Sequence, residues 1–217
     1  MSMFETIPPA DVAASATATQ DGAKRRQIME GARAAFLARG FDGASMNDVA
    51  REAGVSKGTL YVYFPSKVAL FEALVREGKA KQGERLARLS EDLPPHETLR
   101  RFGLSLLDVM TTPESIAQLR TIIGVTAQFP QVGRAFYDAG FAHGVEKLSD
   151  YIAVETAKGR LDASDPRTAA IQFLDLCKSG LLQKLLFGVA DTLARADLEA
   201  NVERALSTFM AAFGPKA

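Results

Sequence analysis

The residues of this chain best suited to chemistry at a surface lie in one run, Gly54-Val55-Ser56-Lys57-Gly58-Thr59-Leu60-Tyr61-Val62-Tyr63-Phe64-Pro65-Ser66-Lys67. Their side chains are those that read duplex DNA. A lysine at position 57 can reach a guanine or a phosphate, and Thr59 can bond a base edge or touch a thymine methyl. Tyr61 and Tyr63 can donate phenolic hydroxyls to phosphate oxygens, which fixes register rather than sequence. Lys67 falls at the amino end of a further helical pattern, where backbone N–H groups also favour an anion. Just upstream, Ser45, Met46 and Asn47 begin another short helical pattern, the usual place for backbone contacts. Ser45 also reads as a plain cap, which does not preclude a phosphate bond. Gly58 is a poor helix former. It either eases the start of its helix or lets another surface come close.

These side chains need elements that hold them outward. From about Ala23 to Arg39, Ile28, Ala32, Ala35 and Phe36 share one face, so the spacing predicts an amphipathic helix. Gly40 stands where a left-handed cap belongs. Ser45 followed three residues later by Asp48 has the form of a capping box, which opens a second helix that stops at Gly54. Ser56 opens a third, ended by Pro65, and Ser66 caps a fourth. Two short helices divided by a glycine break form a helix-turn-helix, whose second helix enters the major groove. Ala50 permits close approach, Gly54 can take positive φ, and Leu60 with Val49 and Val55 fills the wedge.

The remainder predicts further helices over about 96–111, 114–128, 131–158, 166–188 and 192–213, broken at Pro113, Pro130, Gly159, Asp165-Pro166 and Gly188. No alternating strand pattern or internal repeat is evident, so the fold class is all-α. Residues 1–20, rich in Ala, Thr, Ser and Pro, read as a mobile arm, with a contact to DNA backbone as the alternative to no role. The chain has 217 residues, a formal net charge of zero and 47% hydrophobic residues, an ordinary globular composition. Attraction to nucleic acid must therefore be local. Over 21–67, Lys24, Arg25, Arg26, Arg33, Arg39, Arg51, Lys57 and Lys67 outnumber Asp21, Glu30, Asp42, Asp48 and Glu52.

One cysteine, Cys177, allows no intrachain disulfide. Without a secretion signal or a run long enough to span a bilayer, the expected compartment is the cytoplasm, with nucleoid association when DNA is bound. An enzyme is poorly supported. His96 and His143 sit in no metal or acid–base cluster, and no cofactor or metal is expected. Gly54 to Thr59 lacks the spacing of a phosphate loop. Cys177, in an apolar helix, reads as an inert thiol. A helical interaction module without DNA binding is the remaining alternative.

From Lys24 to Leu74 the chain resembles the tetracycline-repressor (TetR/AcrR) family of bacterial transcriptional regulators. The resemblance rests on Gly40-Phe41, Ser45 to Ala53, Gly54-Val55-Ser56, the run from Gly58 to Phe64, and Ser66-Lys67. Leu119 to Gly140, with Gln128-Phe129-Pro130 and Phe136-Tyr137, is similar to the AefR-type subgroup. The resemblance implies a three-helix DNA-binding head over 21–66 and a larger helical effector-binding and dimerisation domain over 67–217. It implies a homodimer on a double-stranded DNA operator, released by a small-molecule effector. By position, the implied DNA contacts are Met46, Asn47, Lys57, Gly58, Thr59, Tyr61, Tyr63 and Lys67. Whether binding represses or activates depends on where the operator lies relative to a promoter; repression is the expectation and activation the alternative.

Paired half-sites about one helical turn apart call for a twofold dimer. Leu198, Val202, Leu206, Phe209 and Phe213 form an apolar stripe, and the 166–188 helix is apolar around much of its circumference, Leu181 and Leu185 included. These are the expected dimer surface. The expected effector pocket, among the middle helices, is lined by Phe102, Leu106, Met110, Leu119, Ile123, Phe129, Phe136, Tyr137, Phe173 and Cys177. That set is mostly apolar, which suits an apolar or amphipathic effector.

Overall fold

A computed structural model describes residues 9–86 and 88–215, with side chains from residue 20 onward. Every regular element among the described residues is helical. In order they are α1 (Pro9–Gly43), α2 (Met46–Glu52), α3 (Lys57–Tyr63), α4 (Lys67–Glu84), α5 (Pro95–Met110), α6 (Pro113–Thr126), α7 (Pro130–Tyr137), a π segment (Asp138–Ala142), α8 (His143–Ala157), α9 (Pro166–Lys178), α10 (Leu181–Leu186) and α11 (Arg195–Phe213). The chain divides between Leu74 and Val75 into two compact units, so α4 contributes to both.

In the first unit α1 runs straight through the stretch expected to be an arm, beginning at Pro9. Proline is at home in a helix's first turn, and Ala10, Ala13, Ala14, Ala16 and Ala18 supply helix propensity that carries the helix without an apolar stripe. Residues 1–8 of that expected arm lie outside the described residues. The helix kinks at Gly40, whose φ of 69° ends its straight run. Ile28, Met29, Ala32 and Phe36 are buried beneath it. Phe36, Phe41 and Phe71 close the core as a ring cluster, with centroids 5.2 Å apart for Phe36–Phe71 and 4.7 Å for Phe41–Phe71. Gly31 lets α1 lie against the end of α2, because a Cβ there would stand 2.5 Å from the Ala53 backbone. Gln27 exploits that closeness, donating to the Ala53 carbonyl at 2.7 Å.

In the second unit α9 packs against α8, α11 and α5. Leu99, Leu148, Ile152, Phe173, Val202, Leu206 and Phe209 form the centre of this core, each at most 1% exposed. Two expected helices are interrupted. The 131–158 pattern becomes α7 and α8 joined through the π segment, so the chain stays helical while its register shifts. The 166–188 pattern breaks at Ser179-Gly180, where Gly180 takes φ 74°. Asn201 of α11, buried, donates to the Cys177 carbonyl at 2.7 Å and, at 3.4 Å, to the Leu176 carbonyl, which also accepts from Ser179 N, so the broken turn is tied to α11. A buried carboxylate, Glu155 in the last turn of α8, accepts from Arg160 Nη2 at 2.7 Å.

Candidate nucleic-acid interface

The capping box at the start of α2 is complete. Ser45 Oγ accepts from Asp48 N at 3.2 Å, and the Asp48 carboxylate accepts from Ser45 N at 3.0 Å and Ser45 Oγ at 2.6 Å. Its other oxygen accepts from Arg39 at 2.5 Å and Arg51 at 2.8 Å. The Ser45 hydrogen bonds, then Arg51, hold the Asp48 carboxyl far below its ordinary range. The Ser45 hydroxyl is therefore spent on the cap. Asn47 beside it is exposed, whereas Met46 is buried at 9%. The expected contact through the Met46 side chain meets a packed core position, since the first turn of α2 needs an apolar anchor under it.

The turn follows the sequence reading. Gly54 sits at φ 62°, and Val55 N donates to Ala50 O at 3.0 Å. Ser56 then caps α3, its hydroxyl accepting from Thr59 N at 3.0 Å and lying 2.8 Å from Thr59 Oγ1. Leu60, fully buried, and Phe64, 4% exposed, pin one side of α3. The helical period then turns the opposite side outward. Lys57, Gly58 and Tyr61 are exposed and Thr59 is half-buried. Lys57 Nζ lies 6.0 Å from the Tyr61 ring, one turn along, so cation and phenol stand side by side.

Val62 completes that face at 82% exposure, and the sequence reading passed over it. Its signal was the spacing: position 62 lies four residues after Gly58 and three after Thr59, on the same stripe. A bare β-branched side chain there fits apolar contact with a thymine methyl.

Two expected contacts are engaged inside the head. The Tyr63 hydroxyl donates to the Asp21 carboxylate of α1, and that bond, followed by burial, raises its phenol above the ordinary value. Lys67 Nζ donates to the carbonyls of Phe41 at 2.7 Å and Asp42 at 3.3 Å and lies 4.5 Å from the Phe41 ring centroid. Both side chains stitch the ends of α3 and α4 to α1. The kinked end of α1 turns the Phe41 and Asp42 carbonyls toward Lys67, and Asp21 earlier on the same helix faces the Tyr63 hydroxyl.

In the second unit the expected effector residues divide. Phe102, Phe173 and Cys177 are core, with Gly103 so close that a Cβ there would come within 3.2 Å of the Cys177 Sγ. Burial pushes the Cys177 thiol up to about 12, which removes its thiolate at neutral pH. Leu106, Met110, Leu119, Phe129 and Phe136 are half-buried, while Ile123 and Tyr137 are exposed at 59% and 51%. A surface depression of about 480 Å³, lined by Pro94, Pro95, His96, Arg160, Met210 and Pro215 among others, shares no residue with this set.

The expected dimer residues are also mostly interior. Leu181, Leu185, Leu198, Val202, Leu206 and Phe209 are buried within the subunit, and only Phe213 is partly exposed. The stripe is real, but α11 turns it toward Phe173, whose ring centroid is 5.3 Å from that of Phe209. A stripe fixes a buried face without saying what buries it.

Comparison with known proteins agrees with this architecture. Residues 28–74 match the model of bacterial regulatory proteins of the tetR family, and residues 97–215 match the AefR-like transcriptional repressor C-terminal domain. The flavonoid-responsive regulator FrrA is 34% identical, superposes with a TM-score of 0.81, and aligns over 90% of this chain and 100% of its own. The structure of a TetR-family transcriptional regulator from Mesorhizobium loti MAFF303099 is 28% identical with the same TM-score, covering 89% of this chain and 98% of that one. The transcriptional repressor Rv1474c of Mycobacterium tuberculosis is 28% identical over 171 residues, 76% of this chain and 84% of its own.

Proposed function

This chain belongs to the tetR family of bacterial regulatory proteins, as a transcriptional regulator with a DNA-binding helix-turn-helix and an AefR-like C-terminal domain, and from that premise we propose that it is an effector-released repressor. A homodimer of it binds a palindromic operator in the cytoplasm, one α3 in each of two adjacent major grooves. The observation that carries this is the face of α3. Leu60 and Phe64 are locked inward while Lys57, Gly58, Tyr61 and Val62 stand exposed together. Lys57 and Tyr61 supply phosphate and base-edge donors, and Val62 supplies an apolar reader.

The dimer forms through the outward faces of α9 and α11, rather than through the stripe that α11 buries. On α11 those faces carry Ala200, Ser207 and Ala211, and on α9 Gln172 and Asp175, all exposed. The small side chains on α11 allow that helix to approach its mate closely. The effector is an apolar or amphipathic small molecule held in the second unit. FrrA is named for its response to flavonoids, which supports a planar aromatic compound here. Its binding lowers operator affinity by the difference in its affinity for the two states.

A gel-shift titration of the purified protein against genomic fragments at rising salt tests the reading. A specific shift that weakens steeply as counterions compete is expected. No specific fragment at any salt would refute it.

A further inference from the structure

The second unit holds a charge that its surroundings leave uncompensated. Lys79, in that unit's share of α4, is half-buried. Its Nζ lies 4.0 Å from the centroid of the Phe136 ring of α7 and donates to Gln82 Oε1 at 2.9 Å. Gln82 is in turn fixed to α6, its amide nitrogen donating to Ser115 Oγ at 3.1 Å. The lysine stem crosses the π segment at Gly140, where an added Cβ would stand 3.2 Å from Cδ and 3.3 Å from Cε. Any larger residue at 140 would push the stem aside.

Among the described residues no carboxylate pairs with this ammonium, and desolvation alone pulls it down to about 8. Partly burying a cation without a counter-charge is costly, and a neutral amide and a ring face offset only part of that cost. An ammonium carries three donors, of which Gln82 takes one. Three helices and a π segment thus hold a charged group in a place where apolar packing would be more stable. Such π segments recur at functional sites.

We propose that Lys79 is the anion-receiving group of the effector site, taking a carboxylate or phenolate oxygen of a planar aromatic ligand whose ring lies along Phe136. This rests on the effector-released reading above and adds the ligand's charge to it. The ligand supplies a counter-charge to the ammonium, and the Phe136 ring on which the ammonium rests borders it with apolar surface. Gln82, by accepting one N–H, aims the remaining donors.

Isothermal titration of the full-length protein with two matched probe pairs tests this. One pair is naphthoate and naphthamide; the other is hydroxyflavone and methoxyflavone. In at least one pair the ionisable member binds about tenfold or more tightly than its neutral counterpart. Lys79→Met and Lys79→Gln abolish that preference and melt no lower than wild type, because removing an uncompensated charge relieves the fold. The pair that responds distinguishes carboxylate from phenolate. Equal affinity within both pairs, no binding of any probe, a preference that survives Lys79→Met, or unfolding of both variants would each overturn the assignment. The wild-type gel shift separates the two readings. Protein that shifts its operator but shows no charge preference loses this inference alone; protein that shifts no DNA loses the regulator reading as well.

Discussion

On α3 the residues with the chemistry of recognition face out, whereas on α11 the residues with the clearest helical pattern face in. Lys57, Tyr61 and Val62 are exposed beside a fully buried Leu60; Val202, Leu206 and Phe209 are themselves fully buried. The difference is one of constraint. In the head a seven-residue helix is fixed at both ends, by the Gly54 turn and the Ser56 cap before it and by the extended Phe64 after it. Once its one buried leucine is placed, every other side chain has a defined direction. In the second unit α11 is 19 residues long, and it is packed by α5 and α9. Its stripe served equally well as an internal seam or as a surface for a second subunit.

The largest expected effect separates those two uses of the stripe. Phe209→Ala should lower the unfolding free energy by about 3–5 kcal/mol, as for an aromatic removed from a packed core. Denaturant melts at several protein concentrations check this. A midpoint that keeps its wild-type value, together with a shift to monomer in sedimentation, would return the residue to the dimer surface.

Smaller and confined to the head is the cap of α3. Ser56→Ala should cost about 1 kcal/mol of stability, since Thr59 N loses its acceptor. Thermal melts measure it, and an unchanged melt would mean that the cap does not fix α3. Val62→Ala should leave stability unaltered and weaken specific operator binding by no more than about 1 kcal/mol, the worth of a small apolar contact. Loss of all binding would show that Val62 supports the fold instead.

Asp48 gives an effect confined to acid pH, and a sign. Its folded carboxyl lies far below the ordinary range, so its contribution is fully present above about pH 4, the unfolded value, and is lost as pH falls further. Asp48→Asn should therefore flatten the acid limb of the stability curve below about pH 4. An acid limb identical to wild type would show that the Ser45 and Arg51 contacts carry no linkage.

How much was legible follows the same division. Ser45 with Asp48, Gly54, Ser56 and Pro65 are local signals, each acting within a few residues, and the structure uses them as read. Tyr63 and Lys67 were not legible, because their partners, Asp21 and the Phe41 and Asp42 carbonyls, come from α1, far away in sequence. Ser179-Gly180 was missed because an apolar run on both sides hid the break, and the group that stabilises it, Asn201, stands on α11. Nothing in the sequence sets Lys79 apart from the other lysines of α4. Only the folded unit sets it against Phe136, with no carboxylate paired to it among the described residues.

The central claim is that the outward side of α3 reads the duplex. Its most direct test is fluorescence anisotropy of the operator fragment recovered from genomic DNA, titrated with wild type and with the Thr59→Ala and Tyr61→Ala variants. Each variant should melt like wild type and lose about 1–3 kcal/mol of specific binding. Thr59→Ala should keep its affinity for random DNA, whereas Tyr61→Ala, which loses a phosphate donor, should weaken that binding as well. Undiminished specific binding by both variants would contradict the account.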